Sequence, residues 1–512
     1  MPAWWGREFA KDAFSNLATG FAAAASFQNL GFALIGCLLG TLIGVLPGIG
    51  PIPTIAMLLP ITFGLDPLSS LIMLAGIYYG AQYGGSTTSI LVNMRGEASS
   101  VVPCMDGYQR ARKGRAGAAL SVAALGSFFA GCVGTIFIAA FGPPLAALAQ
   151  QFNSPDYFSL MLLGLLMAVV LAHGSVIKAI AMVIVGLLFG LVGTDVNSGA
   201  VRYTFGVSEL WDGIDFLPMV IGMFGIVEII RNLEEKEVDR TAISTKFRDL
   251  WPSASEFAQS WKPVLRGTAV GSILGILPGG GAVLAAFAAY TVEKKVAKDP
   301  SRFGKGAIEG VAGPESANNA AAQTSFIPLL TLGLPSNPIM ALMMGAMMIQ
   351  GIQPGAAVMT SRPDLFWGMV ASMWIGNLML VVINLPMIGI WVKLLSIPYR
   401  YLYPAILMFC VIGVYGTNAN AVMMILTAVF AVFGYIMVRF GCEPAPMVLG
   451  FLLGPLMEEN LRRSLVLSRG DPMIFLQRPI SLTLLICALG LLLVIVLPNV
   501  RKSREIAFQE GG

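Results

Sequence analysis

The chain has 512 residues, 56% of them hydrophobic and only 12% charged, with a formal net charge of +4 and a mean hydropathy of +0.77. Soluble domains carry about a quarter charged residues, so a water-soluble globule is excluded and a bilayer-embedded chain is expected. The charge is too small to suggest a nucleic-acid partner. Six cysteines, at positions 37, 104, 132, 410, 442 and 487, form no CxxC and no Cys/His cluster, so neither a disulfide framework nor a zinc site is indicated.

In chain order, residues 1–27 form an N-terminal segment whose Arg7, Glu8, Lys11 and Asp12 do not read as a cleaved leader. Residues 28–231 read as a first membrane unit. It contains Gly44-Val-Leu-Pro-Gly-Ile-Gly50, where Pro47 and Gly48 should break a helix inside an apolar run. A polar stretch, Gly84-Gly-Ser-Thr-Thr-Ser89, then leads through Ile90-Leu-Val to Asn93, with Arg95 and Glu97 beyond it. Residues Asp106–Arg115 read as a solvated, basic cytoplasmic turn, and His173, the sole histidine, as an interfacial residue. The charged stretch 232–261 is the best linker in the chain. Residues 262–460 read as a second unit, containing Gly275-Ile-Leu-Pro-Gly-Gly-Gly281 and the polar run Glu315-Ser-Ala-Asn-Asn-Ala320 to Ser325. Residues 461–512 form a C-terminal helix and tail. Uncharged runs such as Leu365–Ile388, Ala421–Val438 and Ile480–Leu497 approach or reach the length of a spanning helix. In total roughly ten to twelve membrane segments are expected, some broken or re-entrant.

The two units match in order. Gly44 lies over Gly275, Ile90–Gly96 over Ile327–Gly333, Ser127-xxx-Gly131 over Ser372-xxx-Gly376, and Pro218–Gly222 over Pro446–Gly450. Basic residues fall on opposite loops of the two copies: Arg110, Arg112, Lys113 and Arg115 in the first, Lys294, Lys295, Lys298, Arg302 and Lys305 in the second. That pattern predicts an all-α polytopic fold with two inverted repeats. Arg462, Arg463 and Arg469 pull the other way, since they follow the second copy as Arg231 follows the first.

Helix breaks survive at membrane depth only where they are buried in protein or line a water-filled cavity. Paired breaks in two halves of a transporter mark its binding site, with helix starts facing an anion and carbonyls holding a cation. The candidate substrate-binding residues are therefore Pro47, Gly48, Gly50, Ser86, Thr87, Thr88, Pro278, Gly279, Gly280, Gly281, Asn318 and Asn319. Asn93, Glu315, Asn318 and Ser325 are candidates for the coupling ion, Na⁺ or H⁺, with Na⁺ favoured; no other cofactor is implied. Two other classes are open at this point. An intramembrane enzyme would need a catalytic constellation that one histidine and no HExxH hardly supply, and an anion channel should show rings of repeated charge. No GxxxxGK[ST] sequence for ATP hydrolysis occurs.

Gly44–Pro51, Tyr79-Gly-Ala-Gln-Tyr-Gly-Gly-Ser-Thr-Thr-Ser89, Asp106-Gly-Tyr108, Gly275–Gly281 and Pro314-Glu-Ser-Ala-Asn-Asn-Ala320 resemble the signature segments of the large membrane subunit of tripartite tricarboxylate transporters. The resemblance runs over nearly the whole chain. It implies a multi-pass permease of the bacterial inner membrane that imports an organic carboxylate (tricarboxylate, dicarboxylate or aromatic carboxylate) on an ion gradient. It also implies two partners, a small membrane subunit of about four helices and a periplasmic solute-binding protein. Two segments depart from the family pattern: Asn93-Met-Arg-Gly96 lacks a proline and gains an arginine, and Leu332-Gly-Leu-Pro-Ser336 ends in serine.

Overall fold

A computed structural model describes residues 7–46, 50–94, 97–171, 175–195, 198–234, 243, 247–277, 281–395, 399–418 and 420–496. Through the first half run α1 (Arg7–Ala24), α2 (Phe27–Val45), α3 (Pro51–Thr62), α4 (Pro67–Val92), α5 (Val101–Arg110), α6 (Ala116–Ala149), α7 (Ser154–Leu171) and α8 (Val176–Gly190). A short hairpin follows, β1 (Gly193–Thr194) antiparallel to β2 (Val201–Arg202). Next, α9 (Phe216–Val220) continues through a wide turn into α10 (Val227–Glu234). The second half runs through α11 (Ala254–Ile276), α12 (Gly281–Val296), α13 (Glu309–Thr324), α14 (Phe326–Leu332), α15 (Pro338–Ile349), α16 (Ala357–Ser361) and α17 (Pro363–Asn384). It ends with α18 (Ile388–Leu394), α19 (Tyr399–Asn418), α20 (Ala421–Arg439), α21 (Pro444–Leu467), α22 (Ile474–Gln477) and α23 (Pro479–Val496).

The chain is thus an all-α polytopic membrane protein, the hairpin being its one sheet among the described residues. Five described helical stretches are long and apolar enough to cross a bilayer: Phe27–Val45, Val101–Ala149, Phe216–Glu234, Pro363–Asn384 and Ala421–Arg439. Ordinary capping sets many helix ends. Asp66 accepts from Leu68 N ahead of Pro67, and Ser253 with Glu256 closes a reciprocal box at the start of α11.

Glycine sets the closest helix pairs. Gly36, Gly40 and Gly44 of α2 face the carbonyl oxygens of Met73, Ile77 and Ala81 on α4, nearer than any side chain would permit. Gly267, Gly271 and Gly275 of α11 stand the same way against Gly313, Ala317 and Ala321 of α13. Backbones in contact gain dispersion and exclude lipid, which is how helices hold together where no hydrophobic effect acts between them. Each trio has the four-residue spacing that returns a residue to the same face of a helix.

The larger pattern is one of exchange. α13 packs on α6 while α17 packs on α4, and α11 on α6 while α2 packs on α17. α21 lies along α8, and α20 lies along the helix formed by α9 and α10. At one end of the bundle the basic segments converge: Arg110 and Arg115 both bind Glu256, Lys113 donates to the Lys305 carbonyl, and Arg302 pairs with Glu309. α11 starts at this face and α12 returns its Lys294 and Lys295 to it. α2 and α3 enter from the other face, where Asn29 accepts from Ser69 beside the start of α4. At that face Arg202 and Arg462 tie the hairpin to α21 through Glu458 and Asp195.

Residues 106–115 are only in part the solvated turn expected from their charge: Arg112–Arg115 are exposed between α5 and α6, whereas Asp106, within α5, is fully buried, accepting from Tyr290 Oη at 3.0 Å and from the amides of Gly306 and Ala307 at 2.7 and 2.8 Å. A buried carboxylate demands such donors, and they come from a loop some 200 residues away that no local pattern reveals.

Candidate functional site

α4 and α13 are buried over almost their whole length, yet they carry the densest polar side chains in the interior. Small residues make that possible. Gly80 and Gly84 let α4 touch α2, and Ala317, Ala320 and Ala321 surround the α13 amides. On α4, Tyr78, Gln82 and Ser86 recur every four residues and so share one face.

Ser86 donates from Oγ to Glu315 Oε1 at 2.6 Å, joining the two halves. Asn319 donates from Nδ2 to Ser127 Oγ of α6 at 2.7 Å and to the Glu315 carbonyl at 3.0 Å. Several buried atoms around this junction have no hydrogen-bond partner among the described residues: Glu315 Oε2, both side-chain atoms of Asn318, Gln323 Oε1, both of Gln82, and the hydroxyls of Tyr79 and Tyr83. An unsatisfied buried polar group costs about 1–3 kcal/mol. A cluster of them is stable only if something else binds there or the site moves.

The unpaired groups divide by chemistry. One set surrounds the start of α12. Gly281 sits there with φ 52°, a left-handed angle that favours glycine, and a Cβ on it would lie 3.6 Å from Asn337 Cβ. Asn337 is fixed by accepting from Met340 N at 3.0 Å, which leaves its Nδ2 unpaired. Tyr78 faces Gln82, Ser325 and Asn337 from α4. The first-turn amides of α12, to which the helix itself gives no partner, Asn337 Nδ2 and Gln82 Nε2 make this a donor-rich pocket, suited to a carboxylate. The second set is a narrow crevice lined by Tyr83, Ser86, Thr87, Ser127 and Asn384 among alanine, leucine and isoleucine side chains. It encloses about 10 Å³, the volume swept by about one water-sized sphere.

Of the candidates from sequence, Ser86, Glu315, Asn318 and Asn319 are brought together, and Thr87 lines the crevice beside them. Ser325 and Gly281 belong to the donor pocket. Thr88 instead donates to the Val45 carbonyl at 2.6 Å, stopping the end of α2 next to its break. Gly50 caps α3 with φ 60° and has no heavy atom in the space a Cβ would take. Asn93 is exposed and lies apart from Glu315, its side chain accepting from Cys104. Glu97 is buried and accepts from Ser99. Pro47, Gly48, Pro278, Gly279 and Gly280, with Arg95 and His173, lie outside the described residues.

The structure also moves one of the repeat matches. Gly333 ends α14 in the left-handed conformation, φ 69° and ψ 26°, and the residue doing the same in the first copy is Asn93, φ 59° and ψ 34°. Asn93, not Gly96, is therefore the counterpart of Gly333, a slip of three residues. The same register sets Glu97 opposite Asn337, each an extended-backbone residue that starts the next helix. Sequence reading gave no role to Tyr78, Gln82, Ser127, Asn337 or Asn384: Gln82 sits unremarked in the Tyr79–Ser89 segment and Ser127 in a repeat match, while Asn384 is a single polar residue in an apolar run.

Buried, unpaired polar groups beside helix starts inside a multi-pass bundle define a membrane transporter rather than a structural membrane protein. Residues 30–449 match the tripartite tricarboxylate transporter TctA family, and the chain belongs to it. It is 57% identical over 499 residues to an uncharacterized 52.8 kDa protein from the TAR-I ttuC′ 3′ region of Agrobacterium vitis, covering 98% of this chain and 99% of that protein. It is 59% identical over 240 residues to an uncharacterized protein from the TAR-II ttuC′ 3′ region of the same organism, covering 47% of this chain and 99% of that protein. No solved structure matches the chain.

Proposed function

We propose that the chain is the large membrane subunit of an ion-gradient-driven importer of an organic carboxylate in the bacterial inner membrane. It works with a small membrane subunit of about four helices and a periplasmic solute-binding protein that delivers the substrate. The observation that carries this reading is the pair of buried, unpaired donors, Gln82 Nε2 and Asn337 Nδ2, both facing Tyr78, with Asn337 beside Gly281 at the start of α12. In this reading the substrate carboxylate sits there, receiving those amides and the first-turn N–H groups of α12. The coupling cation, Na⁺ rather than H⁺, sits near Glu315.

The face where Arg110, Arg115 and Lys113 meet 254–309 is the cytoplasmic one by the positive-inside rule. The two hairpins, α2–α3 and α11–α12, enter from opposite faces, which supports inverted rather than parallel repeats.

Uptake of radiolabelled citrate-like and aromatic carboxylates into vesicles holding the whole tripartite system tests the reading. Losing one hydrogen bond to a charged ligand is worth about 1.5–3 kcal/mol, roughly ten- to a hundredfold in affinity. Asn337→Ala and Gln82→Leu should raise KM by that factor while the protein still inserts. Wild-type KM in both variants would remove the carboxylate from this pocket.

A further inference from the structure

We propose that the crevice between α4, α6 and α17 is a binding site for one monovalent cation of sodium size, with Asn384 Oδ1 as a ligand. Its polar lining residues are Tyr83, Ser86, Thr87 and Ser127, each with a hydroxyl, and Asn384 with its side-chain amide. Hydrogen bonding turns two of their protons away: Ser86 donates to Glu315 Oε1 at 2.6 Å and Thr87 to the Tyr83 carbonyl at 3.4 Å, while Ser127 Oγ accepts from Asn319 Nδ2. Asn384 donates from Nδ2 to the Leu380 carbonyl at 2.9 Å and to Thr41 Oγ1 at 3.3 Å. Exchanging its oxygen and nitrogen would set oxygen against oxygen, so the orientation is fixed. Asn384 is 4% exposed, and its Oδ1 has no partner among the described residues. Ser86, Thr87 and Asn384 therefore keep oxygen lone pairs available to an occupant of the crevice.

Size and charge choose the occupant. A space of about 10 Å³ admits a dehydrated monovalent ion but no multi-carbon acid. Oxygen ligands suit hard cations, and the lining holds no Lys, Arg or His to repel one. A buried cation needs a counter-charge, and Glu315 supplies one across the Ser86 hydrogen bond. A divalent ion would call for more carboxylates, and no group of three or more His, Cys, Asp or Glu occurs among the described residues. The site lies one α4 turn from Gln82 in the donor pocket, so cation and carboxylate would be neighbours along one helix face.

The site's use in coupling rests on the transport reading; its existence does not, and the test avoids uptake. The purified full-length chain is melted in nanodiscs at constant ionic strength, with NaCl titrated against choline chloride and, separately, KCl. Sodium should raise Tm saturably, and choline should not. Asn384→Leu should abolish the sodium shift, and Thr87→Val, a near-isosteric change that keeps the fold if Asn384→Leu does not, should raise the half-saturating concentration about tenfold. No difference between sodium and choline, or an unchanged half-saturation in the folded variants, would overturn the proposal and leave the crevice as a site for structural water only. An intact sodium shift beside uptake that ignores sodium would defeat the coupling reading and leave the site standing.

Discussion

Gly271→Ala tests whether backbone contact between α11 and α13 holds the site in place. A Cβ on Gly271 would stand 2.7 Å from both the carbonyl carbon and Cα of Ala317, with the Ala317 oxygen nearer still. Carbon atoms rest at about 3.5–4.0 Å, so the helices must part by about 1 Å. Neither side can relieve the clash by rotating a side chain, because the atoms met are backbone. Overpacking of this kind destabilises by about 1–3 kcal/mol. Ala317 also immediately precedes Asn318 and Asn319 and lies two residues from Glu315, so a 1 Å shift would loosen the Ser86–Glu315 hydrogen bond. A thiol-reactive dye suits the stability measurement, since Cys37 and Cys410 are buried and free. The variant should melt earlier and transport at least tenfold more slowly. Gly31 provides the control: no heavy atom lies within 4 Å of a Cβ there, and Gly31→Ala should behave as wild type. Equal melting and uptake in the two variants would refute the argument.

Three further outcomes are expected. Asn318→Leu removes two unpaired buried polar atoms, so it should raise stability by about 1–3 kcal/mol while abolishing uptake; lower stability would mean that Asn318 has an unrecognised structural partner. Glu256 is pushed upward by burial, but hydrogen bonds from Arg115, Ser253 and Arg110 outweigh that and hold its carboxyl well below the ordinary range. A depressed folded value stabilises above the unfolded value of about 4.3, so the stability gap between wild type and Glu256→Gln should be full above pH 5 and shrink as the pH falls below about 4; a gap that widened in acid would contradict the pairing. In a background without native cysteines, cysteines at Arg112 and Lys298 should react with an impermeant thiol reagent from one side of the membrane, and those at Phe205 and Gln353 from the other. A shared side for Arg112 and Gln353, which lie in corresponding loops of the two units, would end the inverted-repeat proposal.

The membrane class and the places where helices stop were legible in the sequence because apolar runs and Leu-Pro-Gly breaks act locally. Adjacent amides at Asn318-Asn319 in an apolar run also stood out without any structure. The left-handed cap was harder to see: asparagine tolerates that conformation as glycine does, so a match by letters fell on Gly96 and missed Asn93. Asn384 was hidden for a different reason. An isolated amide in an apolar helix reads like one that simply bonds back to its own turn, and Asn384 does so with its nitrogen. Only packing shows that its oxygen is left over. Ser336, which ends a segment that departs from the family pattern, is buried and donates to the Ser325 carbonyl, a contact no local pattern reveals.

The pairing of α21 with α8, and of α20 with the helix made by α9 and α10, bears on how the polypeptide is made. Once residues 1–234 have emerged from the ribosome, α8 and α9–α10 can insert, yet the helices that cover them are still unsynthesised. Gly186 must wait for Met447, and Gly222 for Thr427. The early half therefore dwells in the lipid with its small-residue faces uncovered, a state open to membrane quality control. Two fragments cut within 235–253 and produced together should find each other and assemble, whereas either produced alone should be degraded.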